Sequence, residues 1–193
     1  MSMFLGPIHY WLYGKISNQE ELTKRIAAYA QQENLIDSST KYIRELSPLE
    51  EVIDEGNIHG WLQAYIADAE MRYADLVTLI LANDERRMEA LQQIAYRFGE
   101  EHALDGNIDA QGAYEAFENF FLSGMPCDRV NAVTAQDGSS ISWEQTRDIH
   151  AVHWTENAET YYLLKKSVMD GMLSKTDLEL KMPDFNHYTI SKK

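Results

Sequence analysis

The chain has a single cysteine, Cys127, in 193 residues. One thiol has no partner within the chain, so no intramolecular disulfide staples the fold, and a reducing, cytoplasmic compartment is expected. Proline and glycine are scarce, at 4 and 10 residues, which disfavours a loop-rich fold and favours long regular elements. Cations are few as well: 17 Lys and Arg stand against 31 Asp and Glu, for a formal net charge of −14. Binding to nucleic acid or anionic lipid rests on clustered cations that neutralise phosphates. No basic run of that kind is present, Lys192–Lys193 being a terminal doublet. The expectation is therefore no nucleic-acid partner and no membrane docking.

Long hydrophobic runs are missing too. The apolar cluster in Met1–Ile16 is interrupted by His9, Tyr10, Tyr13 and Lys15, and the stretch Leu76–Ala82 falls far short of the roughly 20 residues that cross a bilayer. No cationic stretch followed by a hydrophobic core opens the chain, so no secretory leader is read. Three catalytic signatures are also lacking: the phosphate-cradling G-x-x-x-x-G-K-[ST] loop, the dinucleotide turn G-x-G-x-x-G and the nucleophile elbow G-x-S-x-G. ATP-dependent chemistry, nicotinamide binding and serine-hydrolase chemistry are disfavoured accordingly.

What is present is an ordinary globular composition, 45% hydrophobic and 25% charged, with apolar residues at helical spacing. Pro7 opens a helix carrying Ile8, Trp11, Leu12, Ile16, Leu22 and Ile26; Gly14 and Ser17–Asn18 are expected to break or bend it. Ser47–Pro48–Leu49–Glu50 reads as a capped helix start reaching about Asp54. From Ile58 to Ala82 the series Leu62, Ile66, Ala69, Tyr73, Leu76 and Ile80 is the best amphipathic pattern. Asn83 is expected to cap a helix with Met88, Leu91, Ala95 and Phe98 inside, and a shorter helix from Asp109 carries Ala113, Phe117 and Phe120 and stops by Gly124.

The pattern then changes. Arg129–Thr134 and Ser140–Trp143 alternate around Asp137–Gly138 and predict a β-hairpin. Glu144–Leu173 returns to mostly helical spacing, with Asp148–Trp154 open to a reading as a third strand. The fold class expected is mainly α: an antiparallel bundle of about five or six helices with a small C-terminal β-hairpin. The whole chain, 1–193, reads as one domain, with a helical core over 1–125, hairpin plus long helix over 126–180, and a surface tail over 181–193.

The candidate functional residues are polar groups on otherwise apolar faces. With residues about 100° apart on a helix and His59 set at zero, the apolar stripe centres near about 300°, Gln63 falls at about 40° and Glu70 at about 20°. His59, Gln63 and Glu70 therefore line one edge of the buried face. His102 falls near the middle of its own stripe, one turn after Phe98. His9 flanks the first helix. His153 points inward beside Glu156 and Thr160 if 144–173 is one helix, whereas His150 lies farther round and is expected to be partly exposed.

Histidines and a carboxylate converging inside a bundle would suit a transition metal, and a lone inward histidine would suit haem. Yet no histidine has Glu three residues before it, and neither His-x-x-x-His nor His-Glu-x-x-His occurs. The bland alternatives are hydrogen-bonded histidines that fix packing, and a Glu70 paired with Arg72, Arg86 or a tyrosine. Trp11, Trp61 and Trp154 each sit within two residues of a histidine, an arrangement read as core packing. Cys127 reads as a small buried residue at a layer junction.

Two functions follow as expectations. One is a binding protein or enzyme with an internal pocket for a metal, haem or small organic ligand, built on His59, His102 and Glu70 with His9, His153 and Gln63. The other is a non-catalytic interaction module that pairs through a helical face as a homo-oligomer.

Overall fold

The computed structural model describes residues 5–82, 84–154 and 158–193; the expected Asn83 cap and Glu156 lie outside the described residues. The chain is mainly helical, with a small four-stranded antiparallel sheet towards its C-terminus.

Helix α1 (Pro7–Gln32) runs unbroken for 26 residues. It starts at proline, whose fixed φ suits a first turn, and the imidazole of His9 accepts the Gly6 N–H at 2.9 Å. That bond satisfies one of the donors a helix start leaves open. The expected break at Gly14 and Ser17–Asn18 does not occur. Ser17 turns its hydroxyl back to the Tyr13 carbonyl at 3.0 Å, and Asn18 donates to the Phe120 carbonyl at 3.1 Å, so both polar side chains are satisfied without leaving the helix.

Helix α2 (Leu49–Val52) is a single turn, shorter than its capping signature suggested; the Ser47 carbonyl is taken by the Tyr13 hydroxyl at 2.8 Å instead. Helix α3 (Ile58–Ala82) buries the predicted stripe. It is followed by α4 (Arg87–Glu101) and by α5 (Ala110–Phe120), where Asp109 accepts the Gly112 N–H at 2.7 Å as a cap.

Strands β1 (Asn131–Gln136) and β2 (Ser140–Gln145) form the expected hairpin, with Asp137 accepting from the backbone of Ser139 at 2.7 Å and Ser140 at 2.8 Å. The long helix from Glu144 does not form. Residues 144–145 finish β2, a short helix α6 (Ala151–Trp154) follows, and the next described element is α7 (Ala158–Met172). The expected surface tail is also corrected: β3 (Leu178–Lys181) and β4 (His187–Lys192) complete the sheet in the order β1-β2-β4-β3. Tyr188 and Ile190 alternate inward on β4, and Tyr188 stacks on Trp143 with centroids 5.1 Å apart. An interior strand with two buried side chains gains far more than a solvated tail would.

Buried side chains form two clusters. The smaller joins Leu12, Ile16, Leu49, Ile58, Leu62 and Ile66 at one end of α1 and α3. The larger joins the rest of both helices to α4, α5, α7 and the inner face of the sheet. Helices α4 and α7 touch backbone to backbone. A Cβ on Gly99 would run into the Val168 carbonyl, and one on Gly171 into the Tyr96 carbonyl. Among the described residues no helix is long and apolar enough to cross a membrane.

This contact yields a signed prediction. In an ordinary helix Gly→Ala stabilises by about 1 kcal/mol, whereas here the added methyl must push two backbones apart. Gly99→Ala is expected to lower stability by about 3 kcal/mol, measured by denaturant unfolding; an unchanged or raised midpoint would refute the close approach.

Candidate functional site

Glu70 lies in the middle of α3, between Ala69 and Tyr73 on the buried stripe, and is 3% exposed. Its position is the seam between the two apolar clusters, with Ile66 and Ala69 on one side and Tyr73 on the other. The expected partners are engaged elsewhere. Arg72 binds both carboxylate oxygens of Glu20, together with Asp68 at 2.8 Å and the Tyr42 carbonyl at 2.8 Å, and Arg86 pairs with Asp84 at 2.9 Å.

The partner of Glu70 is His150. Its Nδ1 lies 3.1 Å from Glu70 Oε2, and because an ionised carboxylate only accepts, Nδ1 carries the proton. The expectation of partial exposure is thus reversed: His150 is 1% exposed. One continuous helix from Glu144 would have turned His150 partly outward, but the chain leaves β2 and starts a new helix, so the phase restarts at Asp148. Asp148 sets that start, accepting the backbone N–H of His150 at 2.9 Å and of Ala151 at 3.0 Å. The Tyr162 hydroxyl donates to the same oxygen at 2.7 Å and accepts from Gln145 Nε2 at 2.7 Å. The imidazole stacks on the Tyr161 ring, with centroids 3.7 Å apart.

The electrostatics follow from burial. Desolvation pushes the Glu70 carboxyl upward, but the charge and hydrogen bond of His150, with His153 and the Gln19 amide, outweigh it and hold the pKa below its ordinary value. Gln19 Nε2 and Glu70 Oε1 make no well-aligned hydrogen bond among the described residues, yet the amide is near enough to favour the carboxylate. Burial first, and the Glu70 charge second, push Tyr73 and Tyr161 upward, so both rings keep their protons.

His150 is part of the wall of a cleft of about 180 Å³, together with Gln63, Ala67, Glu70, Asp128 and His153. The cleft is shaped by Gly124, which adopts φ 71° where a side chain is strained, and where a Cβ would meet Asp128 Oδ2 at 2.7 Å. Both Asp128 oxygens are engaged, one by the Met125 N–H at 2.8 Å and one by Arg147 at 2.7 Å.

No protein-family model matches the chain, and no curated protein or solved structure is similar to it.

Of the residues singled out in the sequence, Glu70, Gln63 and His153 meet at this cleft. Three others do not. His9 caps α1, and His59, exposed in the first turn of α3, has its ring 5.9 Å from that of His9. His102 is exposed at the end of α4, its Nδ1 donating to the Phe98 carbonyl at 2.9 Å and its ring edge-on to Phe98 and Phe120. The angle of a residue on a helix gives its side and not its depth, and both histidines stand at helix ends.

The convergence expected for a metal does not form: among the described residues no three His, Cys, Asp or Glu side chains are placed to hold a metal ion. This cleft is too small for a haem, since 180 Å³ is below the roughly 300–1,000 Å³ of sites for drug-sized ligands. Cys127 is exposed rather than buried.

Because the Glu70 carboxyl titrates lower in the fold than in the unfolded chain, its stabilisation is present above the unfolded carboxylate range and is lost as pH falls through the folded value. Glu70→Gln is expected to lose about 3 kcal/mol near neutral pH, the cost of breaking a buried pair. The gap to the parent protein should close as pH drops below about 4. Thermal unfolding followed across that range checks it, and a gap that does not change with pH would exclude an ionised Glu70.

Proposed function

We propose that the chain binds a small polar molecule in the cleft beside His150 and exchanges a proton with it. The observation that carries this reading is the Glu70–His150 pair, buried at 3% and 1% exposure in the wall of an open cleft. A carboxylate and an imidazole removed from water cost stability unless something else rewards them.

The arrangement has the parts of an acid–base device. Glu70 fixes the tautomer by holding the Nδ1 proton, which leaves Nε2 as the exchanging nitrogen. Tyr161 holds the ring plane by stacking, and Asp148 holds the backbone at the start of α6. His153 and Gln63 supply further donors and acceptors in the wall, and Ala67 leaves the space above them. The volume suits a molecule smaller than drug-sized ligands, and the polar wall suits one with hydrogen-bonding groups.

A fragment screen by NMR tests the proposal, using small carboxylic acids, amides and amines as probes and reading the ring resonances of His150 and His153. Hits are expected to shift both rings, and to lose binding at least tenfold in Ala67→Phe, whose new ring occupies the cleft while Glu70 and His150 stay in place (about 1.4 kcal/mol or more). Fragments that bind without moving either imidazole, or that bind Ala67→Phe equally well, would refute it.

A further inference from the structure

A second polar group lies in the interior, apart from the cleft. Lys165 is on the inward face of α7, between Leu164 and Val168, and is 6% exposed. Among the described residues it makes no ion pair. Lys15 of α1, 5% exposed, is the other buried lysine and also lacks one. The remaining lysines are exposed or half-buried. Aromatic faces give partial compensation: Lys165 Nζ is 5.6 Å from the Phe121 centroid and 5.7 Å from that of Tyr188, and Lys15 Nζ is 3.6 Å over Trp11.

Lys165 borders a hollow of about 30 Å³, walled by Leu22, Phe98, Phe120 and Leu122, with Gln19 and Tyr161 at its polar side. That is room for about two water molecules. Gln19 Nε2 is buried with no hydrogen-bond partner among the described residues, a donor available to an oxygen in the hollow. On another side Lys165 packs near Glu118, Asn131 and Ser123, where Asn131 Oδ1 is buried without a hydrogen-bond partner among the described residues.

We propose that Lys165 is a covalent site for a small neutral aldehyde or ketone, with its amine as the nucleophile and the Gln19 amide as donor to the carbonyl oxygen. The apolar walls favour an uncharged, short-chain carbonyl compound, and the volume admits only a small one.

The chemistry is that of imine formation. The free amine adds to the carbonyl carbon, the new C–N bond forming as the C=O π pair moves to oxygen. The nitrogen gives up a proton and the oxygen gains one, leaving a neutral carbinolamine. Protonation of that hydroxyl and expulsion of water form the C=N bond, and loss of the second nitrogen proton returns the acid. One carbonyl and one amine give one imine and one water, with no oxidant or reductant consumed.

A free amine at moderate pH is what the surroundings supply. Burial pushes Lys165 down to about 8, against the opposing pull of Glu118 and Glu70. Lys15 is likewise pushed down to about 8 by burial, with Lys165 as a further lowering charge. The charged groups facing the site are thus Lys15, Glu70 and Glu118. Tyr73, Tyr161 and Tyr188 stay protonated, each raised chiefly by burial.

The test is reductive trapping on the full chain, with formaldehyde as the probe, cyanoborohydride as the trap, and peptide mass mapping to locate the added methyl groups. Lys165 is expected to be modified on the order of a hundredfold faster at pH 7 than surface lysines, with a rate midpoint near 8. Glu118→Gln should move that midpoint down, because Glu118 raises the Lys165 pKa; a lysine with a purely packing role would show no such response. Lys165→Met should abolish the fast phase and leave surface labelling intact. Should that variant not fold, the parent and Glu118→Gln profiles still decide. Lys165 modified no faster than surface lysines, or a fast phase that maps to Lys15, would overturn the proposal.

Discussion

A carboxylate in the middle of a long buried helix face has to be compensated, and the way Glu70 is compensated organises the centre of this molecule. Taking an ion out of water costs several kcal/mol even after the protein relaxes. Arg72 on α3 and Arg86 beyond its end are committed to other carboxylates, so the counter-group comes from 80 residues along the chain, as His150. Bringing His150 inside requires the chain after β2 to turn inward, which Asp148 accomplishes by capping α6 and accepting from Tyr162 on α7. Gln145, the last residue of β2, bonds the same tyrosine. One buried charge therefore ties together the sheet, both C-terminal helices and α3.

Around this seam the interior is polar in two places that share a wall. The cleft beside His150 and the hollow beside Lys165 are separated by Gln19 and Tyr161, with Tyr73 on the hollow's side. Tyr161 stacks on His150 with one face and borders the hollow; the Gln19 amide stands near Glu70 while facing the same hollow. Tyr73 and Tyr161 stay protonated beside Glu70 and add no charge to the seam. Such a distribution is unusual for packing alone, since a helix face costs less to bury when it is uniformly apolar.

Much of the helical fold was legible in the residues. The stripe from Leu62 to Ile80, the Asp109 start and the alternation around Asp137 each reflect a local rule, a period or a cap, that tertiary contacts did not override. The end of the chain carried a signal of the same kind: Leu178 and Leu180, then Tyr188 and Ile190, alternate as strands do. Pro183 and the closing lysines drew the reading towards a tail instead. Glu70, Gln63 and His153 were legible as candidates, because a polar residue at the edge of an apolar stripe is anomalous wherever the stripe goes. His150 was not, because its orientation depended on where a helix began, and that was settled by Asp148 and Tyr162. Lys165 shows the same anomaly in the sequence, since it sits on one helical face with Tyr161, Leu164 and Val168.

By itself, then, the sequence determined the elements whose causes are local: the long amphipathic helices, the hairpin turn and the set of polar residues that interrupt apolar faces. The tertiary structure alone decided which of those polar residues meet. Whether His59 and His102 reach the interior depends on depth along a helix, and whether Glu70 finds His150 or an arginine depends on competition among distant charges. Pairing across 80 residues is decided by the cost of desolvating a charge in one folded arrangement, a quantity that no local window of the chain contains.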